Sequence, residues 1–156
     1  MSDIKRAKRM LWLFSVFKIP LIGFVSPKLV ELSSEKMVVK IPLRWRTKNH
    51  LQSMYFGALA IGADLAGAFQ AFYVADKRDH KISIVFKNFN AEFLKRPESD
   101  VYFVSEAGTQ IEKMIDETTL SKERVTETIK INAIINYSHS PEVVAEFELG
   151  LSVKAK

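Results

Sequence analysis

Residues 54–75 read MYFGALAIGADLAGAFQAFYVA, twenty-two residues in which Asp64 is the one charge. A membrane span of that length is possible, but a lone carboxylate at mid-depth is costly, and no other stretch of the chain offers a partner helix. The buried centre of a soluble domain suits the run better, since a helix that is apolar on all sides belongs where protein surrounds it. A strand is excluded by length and by the lack of alternation. The reading is a central helix over residues 54–74, its body running from about Tyr55 to Tyr73. Gly57, Gly62 and Gly67 would each weaken a free helix by about 1 kcal/mol. Their use is close approach, bare patches around which a sheet can curl tightly.

Strands flank that helix. Before it, Leu29 to Leu32 and Met37 to Ile41 form two short strands around a Ser33-Ser34-Glu35 turn. After it, Ile82, Ile84 and Phe86 alternate with polar residues, the phase slips, and Phe89, Ala91 and Phe93 resume it. A slip inside one long strand predicts a β-bulge near Lys87-Asn88, a device that bends a sheet. Val101 to Val104 makes a short strand, and Gly108 to Thr119 a short helix or loop excursion. Val125 to Tyr137 and Val143 to Val153 alternate cleanly about the turn at Ser138 to Pro141, which predicts a long antiparallel hairpin with one wet face. Helix, two strands, buried helix and four strands make an α+β domain of about six strands.

At 156 residues, 47% hydrophobic and 26% charged, the chain suits one globular domain over residues 1–156. The absence of cysteine removes disulfides, thiolate catalysis and cysteine zinc sites together, and suits the cytoplasm. Three scattered histidines do not compose a metal site. The net charge of +5 gathers at Lys5, Arg6, Lys8 and Arg9, and again at Arg44, Arg46 and Lys48. Nucleic acid binding needs basic residues spread along a face with aromatics between them, so no nucleic acid partner is expected.

The segment KRAKRMLWLFSVFKIPLIGF, residues 5–24, has the outline of a signal peptide, but Lys18 and Pro20 interrupt the apolar run and no small-x-small cleavage site follows. It reads as an amphipathic N-terminal helix over residues 1–19 that packs Leu11, Trp12 and Phe14 on the domain. A second reading rests that face weakly on a membrane surface, given the basic flank beside Trp and Phe.

Asn49-His50-Leu51-Gln52-Ser53-Met54-Tyr55-Phe56-Gly57, followed by Gly62-Ala63-Asp64, resembles a motif of hot-dog thioesterases of the phenylacetate-pathway type. That motif opens Asn-Pro-x-Gly, passes through His-Gly-Gly, and places an Asp seven residues after the second Gly. Asn49, Gly57 and Asp64 fall in register without a gap. Phe93-Leu94-Lys95-Arg96-Pro97 resembles the Phe-Leu-Arg-Pro element with one residue inserted. The chain, from about Val30 to Val153, is also similar to a branch of the hot-dog superfamily that carries a domain-of-unknown-function label. The departures are His50 for the Pro, Gln52 for the Gly, Tyr55 for the His and Phe56 for the first Gly.

The resemblance implies a curved antiparallel sheet wrapped around the central helix, and an acyl-thioester hydrolase of the acyl-CoA type working at the interface of a dimer or tetramer. In that reading Asp64 is general base or nucleophile, the Gly57 amide holds the carbonyl oxygen, and Asn49 and Tyr55 assist. Phe56 and Ser53 would line the substrate site, with Arg44, Arg46, Lys95 and Arg96 near the phosphates of coenzyme A. Coenzyme A enters as part of the substrate, and no separate cofactor is implied. Each residue also has a plain structural reading. Asp64 is a buried acid bonded to backbone or hydroxyls, Asn49 a turn or cap residue, Tyr55 an aromatic cover, Ser53 the helix N-cap, and the basic residues solvated surface. A non-catalytic acyl- or lipid-binding module on the same fold is the rival function.

Overall fold

The computed structural model describes residues 3–156; residues 1–2 of the expected 1–19 helix lie outside the described residues. The central helix, α3, spans Phe56–Lys77, beginning two residues later and ending three residues later than the hydropathy alone predicts. Thirteen of its 22 residues are buried, which is why so apolar a run is stable in this setting. A left-handed Asp79, with φ 56°, turns the chain away at its C-terminal end, and the His80 amide closes that end onto the Ala75 carbonyl at 2.9 Å. A Cβ placed on Gly62 would overlap the Phe103 ring, and one on Gly67 would press on Ile129. These are the bare patches that close sheet contact requires.

The remaining elements are α1 (Asp3–Leu13), α2 (Pro20–Phe24), β1 (Lys28–Leu32), β2 (Met37–Ile41), β3 (Ile82–Phe93), β4 (Val101–Ser105), α4 (Gly108–Ser121), β5 (Val125–Ile135) and β6 (Glu142–Ala155). The strands form one curved sheet in the order β1-β2-β4-β5-β6-β3, antiparallel throughout. α3 lies across its inner face, touching β2 to β6. β5 and β6 are the expected hairpin, with Ile129, Ile131, Phe147 and Leu149 inward and buried. The bulge is where the phase slip puts it. Phe86 faces Leu151 and Phe89 faces Leu149, leaving Lys87 and Asn88 together opposite Gly150. A side chain on Gly150 would strike the Asn88 carboxamide, so the glycine is what admits the extra residue.

The N-terminal segment differs from the single helix expected over residues 1–19. α1 passes into a π-helical turn at Phe14–Lys18, Ile19 breaks the helix, and Pro20 starts the short α2. Ala7 and Leu11 pack inward against Leu65, Phe69 and Tyr73 of α3, and Phe14 meets the Phe72 ring at 5.6 Å. Trp12 does not pack as expected. One residue past Leu11 on the helix, it is turned about 100° away from the buried stripe and is 59% exposed.

Candidate active site at the start of the central helix

The loop leading into α3 is held by one side chain. Asn49 Oδ1 accepts from the Leu51 amide at 2.9 Å, the Ser53 amide at 3.2 Å and the Ser53 hydroxyl at 3.1 Å. The Tyr55 amide donates to the Thr47 carbonyl and the Met54 amide to the Pro97 carbonyl, pinning the loop to Phe93-Leu94-Lys95-Arg96-Pro97. Gln52, at the position where the resembled motif carries Gly, has φ 63°. The tight left-handed turn is therefore kept although the residue that accommodates it best is gone.

Ser53 is not the N-cap. Its hydroxyl is buried against Asn49, and the capping position falls to Tyr55, whose backbone is extended and whose side chain makes no capping bond. The Ala58 and Leu59 amides reach the Tyr55 carbonyl at 2.9 and 3.2 Å. Among the described residues, the Phe56 and Gly57 amides have no protein acceptor. Unpaired amides at a helix start carry partial positive charge, suited to a carbonyl oxygen that becomes an oxyanion. The Tyr55 ring lies over the Gly57 Cα, where any side chain would collide with it. Phe56 is 60% exposed, its ring beside Tyr55 at 4.8 Å and Phe93 at 6.5 Å.

A groove of about 490 Å³ opens at this point, and Asn49, Ser53, Tyr55, Phe56, Lys95 and Arg96 all border it. Six of the ten residues singled out in the sequence thus meet at one place. Lys95 is paired with Glu142 at 2.7 Å and Arg96 with Glu98 at 3.1 Å, both at the surface. Arg44 and Arg46 do not join them. The Arg46 guanidinium donates to the Ser26 hydroxyl at 3.0 Å and covers Phe24 on the N-terminal side of the molecule.

Asp64 lies two turns along α3 on a half-buried stripe with Gly57, Ala60, Ile61, Ala68 and Phe72, the flank that the sheet leaves uncovered. Among the described residues no hydrogen bond or ion pair reaches its carboxylate, so the structural reading of an acid bonded to backbone or hydroxyls fails. Burial alone pushes its carboxyl up to about 6. Seven residues separate it from Gly57, about 10 Å along the axis. An attacking group must come within ~3.5 Å of its target. Within one copy, Gly57 and Asp64 therefore cannot serve the same carbonyl.

Sequence reasoning missed the state of the edge strand. Phe89, Ala91 and Phe93 of β3 face inward, opposite buried Leu149, Phe147 and Ala145, yet Phe89 is 42% and Phe93 52% exposed. Among the described residues no strand pairs with the outer edge of β3. The inner face here is apolar, next to the groove, and uncovered.

The family model described as a domain of unknown function, DUF4442, matches residues 7–153. No curated protein matches the sequence. Solved structures do. A protein of unknown function from Chlorobaculum tepidum superposes with a TM-score of 0.82 at 11% identity, over 97% of this chain and 96% of that one. A candidate thioesterase from Shewanella oneidensis gives 0.79 at 13% identity, over 99% and 98%. A thioesterase from Haemophilus influenzae gives 0.69 at 10% identity, over 99% and 92%. At such identities the likeness establishes the hot-dog fold.

Proposed function

The chain belongs to the DUF4442 family and has the hot-dog fold, and on that premise we propose that it hydrolyses acyl thioesters in a site shared by two copies. The observation that carries the proposal is Asp64, a half-buried carboxylate with no hydrogen-bond or ion-pair partner among the described residues, poised to take a proton near neutral pH. Thioesterases among its structural neighbours support the reaction class. The Phe56 and Gly57 amides of one copy receive the thioester carbonyl, and Asp64 of the other activates water or attacks directly. The acyl chain lies in the groove bordered by Tyr55, Phe56 and Phe93, and Asn49 keeps the loop in shape. Lys95 and Arg96 reach the phosphates of a coenzyme A carrier; Arg44 and Arg46, which do not border the groove, are given no part. The apolar inner face and open edge of β3 support the two-copy arrangement, because a second β3 would pair the edge and cover Phe89 and Phe93.

The test is hydrolysis of acyl-CoA thioesters across chain lengths. Asp64→Asn should lower kcat by about 10²–10⁴ with the dimer intact by light scattering. Full activity in that variant refutes the assignment. Binding of acyl-CoA without turnover by the wild type would instead support the acyl-binding module, which the bulk of Phe56 and the Tyr55 ring over Gly57 would favour. A mixing experiment examines the shared site. Phe56→Pro removes one of the two free amide hydrogens at the first helical position, which tolerates proline after the extended Tyr55 backbone. Combining it with Asp64→Asn, both inactive alone, should restore up to about a quarter of wild-type activity, since each mixed dimer keeps one intact site. No recovery despite subunit exchange would end the two-copy mechanism.

A further inference from the structure

Beyond the hydrolase site, the N-terminal segment presents a surface for which that reaction has no use. Between Trp12 and Phe24 seven large apolar side chains are each more than 40% exposed, with Phe17 at 69% and Leu21 at 61%. Trp45, 80% exposed, continues the patch by its edge contact with Phe24 at 6.4 Å. Single exposed apolar residues are ordinary; a contiguous group of this size marks a contact surface.

The charge around the patch selects the partner. Residues 1–30 carry six basic side chains against Asp3, which equals the whole +5 of the chain. Asp3 is engaged by Lys77 and Arg6 by Asp76. Among the described residues Lys5, Lys8, Arg9, Lys18 and Lys28 lie in no ion pair. Lys5, Lys8, Arg9 and Trp12 follow at helical spacing on the outward face of α1, so the basic rim runs directly into the apolar tip. A second copy docking here would set like charges against each other. Between Leu11, Trp12 and Val16 on one side and Leu29 and Val30 on the other lies a groove of about 640 Å³, with Lys8 and Lys28 at its border.

We propose that this face docks on an anionic phospholipid bilayer. Trp12, Phe17, Leu21 and Phe24 enter the interface, the free lysines and Arg9 meet the headgroups, and the groove takes part of one lipid. The experiment is co-flotation of the full chain with vesicles of phosphatidylglycerol and phosphatidylcholine in equal parts, beside phosphatidylcholine alone. Wild type should float with the anionic vesicles only, with the tryptophan emission shifting to the blue. The triple variant Lys5→Gln, Lys8→Gln, Arg9→Gln should bind about a hundredfold more weakly, near fivefold for each basic residue removed. Phe17→Ser with Leu21→Ser should also lose binding while hydrolysis in solution is unchanged. Absence from both vesicle types overturns the proposal, and so does binding indifferent to lipid charge. A Phe17→Ser, Leu21→Ser protein that changes its oligomeric state but floats as before also overturns it, assigning the face to another copy.

Discussion

A carboxylate kept half-buried without a partner weakens the protein that carries it, and Asp64→Asn should reveal by how much. Burial raises this carboxyl from 3.8 to about 6. The folded state thus binds the proton more tightly than the unfolded chain does. The carboxylate destabilises the fold in full above about pH 6, and the penalty fades as pH falls from about 6 towards the unfolded value. At 1.36 kcal/mol per tenfold change the ceiling is about 3 kcal/mol. The side chain still reaches solvent, so about 1.5–3 kcal/mol is the working range. In a domain of this size that is a rise in Tm of ~4–9 °C for a residue of the same shape that cannot ionise. Calorimetry of both proteins at about pH 8, 6 and 4 reads it directly. The variant should melt higher at the first pH, less so at the second, and within about 2 °C of wild type at the third. A variant no more stable than wild type at the highest pH, or a gap that ignores pH, would mean that Asp64 is satisfied or hydrated, and the argument for a poised base would go with it.

Other consequences are simpler to state. Hydrolysis by the wild type should fall about tenfold per pH unit below about 6 and level off above neutrality, because only the ionised Asp64 accepts a proton. Gln52→Gly should raise stability by up to ~1 kcal/mol in urea unfolding, since the residue holds φ 63° at the expense that glycine avoids. Gly62→Ala should lower it by about 1–3 kcal/mol despite better helix propensity, the new methyl striking the buried Phe103 ring; an unchanged midpoint would show that the ring has room to move.

What the sequence reveals and what it hides divide along local and non-local lines. The central helix is legible because length, a single charge and all-round hydrophobicity leave no other use for residues 54–75. The bulge is legible because a change of phase within one strand has a single mechanical meaning, although Gly150, its counterpart on β6, carries no local sign of that role. Ser53 misleads. It has the composition of a cap, but the Asn49 carboxamide four residues earlier has already claimed its hydroxyl, and Tyr55 starts the helix with backbone alone. Trp12 misleads because the apolar run from Met10 to Phe17 has no clean period, and the π-helical turn at Phe14–Lys18 turns part of it outward. Of the basic residues, Lys95 and Arg96 reach the groove and Arg44 and Arg46 do not. That outcome depends on how the loop before α3 folds back on Pro97, a contact between segments some forty residues apart that no spacing rule encodes.

The position of Asp64 also constrains any assembly that uses it. In a two-fold dimer, residue i of one helix lies opposite residue j of the other, and j opposite i. Two copies of α3 running antiparallel can bring Gly57 against Asp64 only if the axis passes between Ala60 and Ile61. Those two residues sit on the same half-buried stripe, and the methyl of Ala60 is small enough for the helices to approach closely. The small residue at the midpoint and the seven-residue interval between amide and carboxylate are then compatible with one symmetry operation. Were the interval six or eight residues, the two groups would leave the common face by about 100° and no such axis would join them.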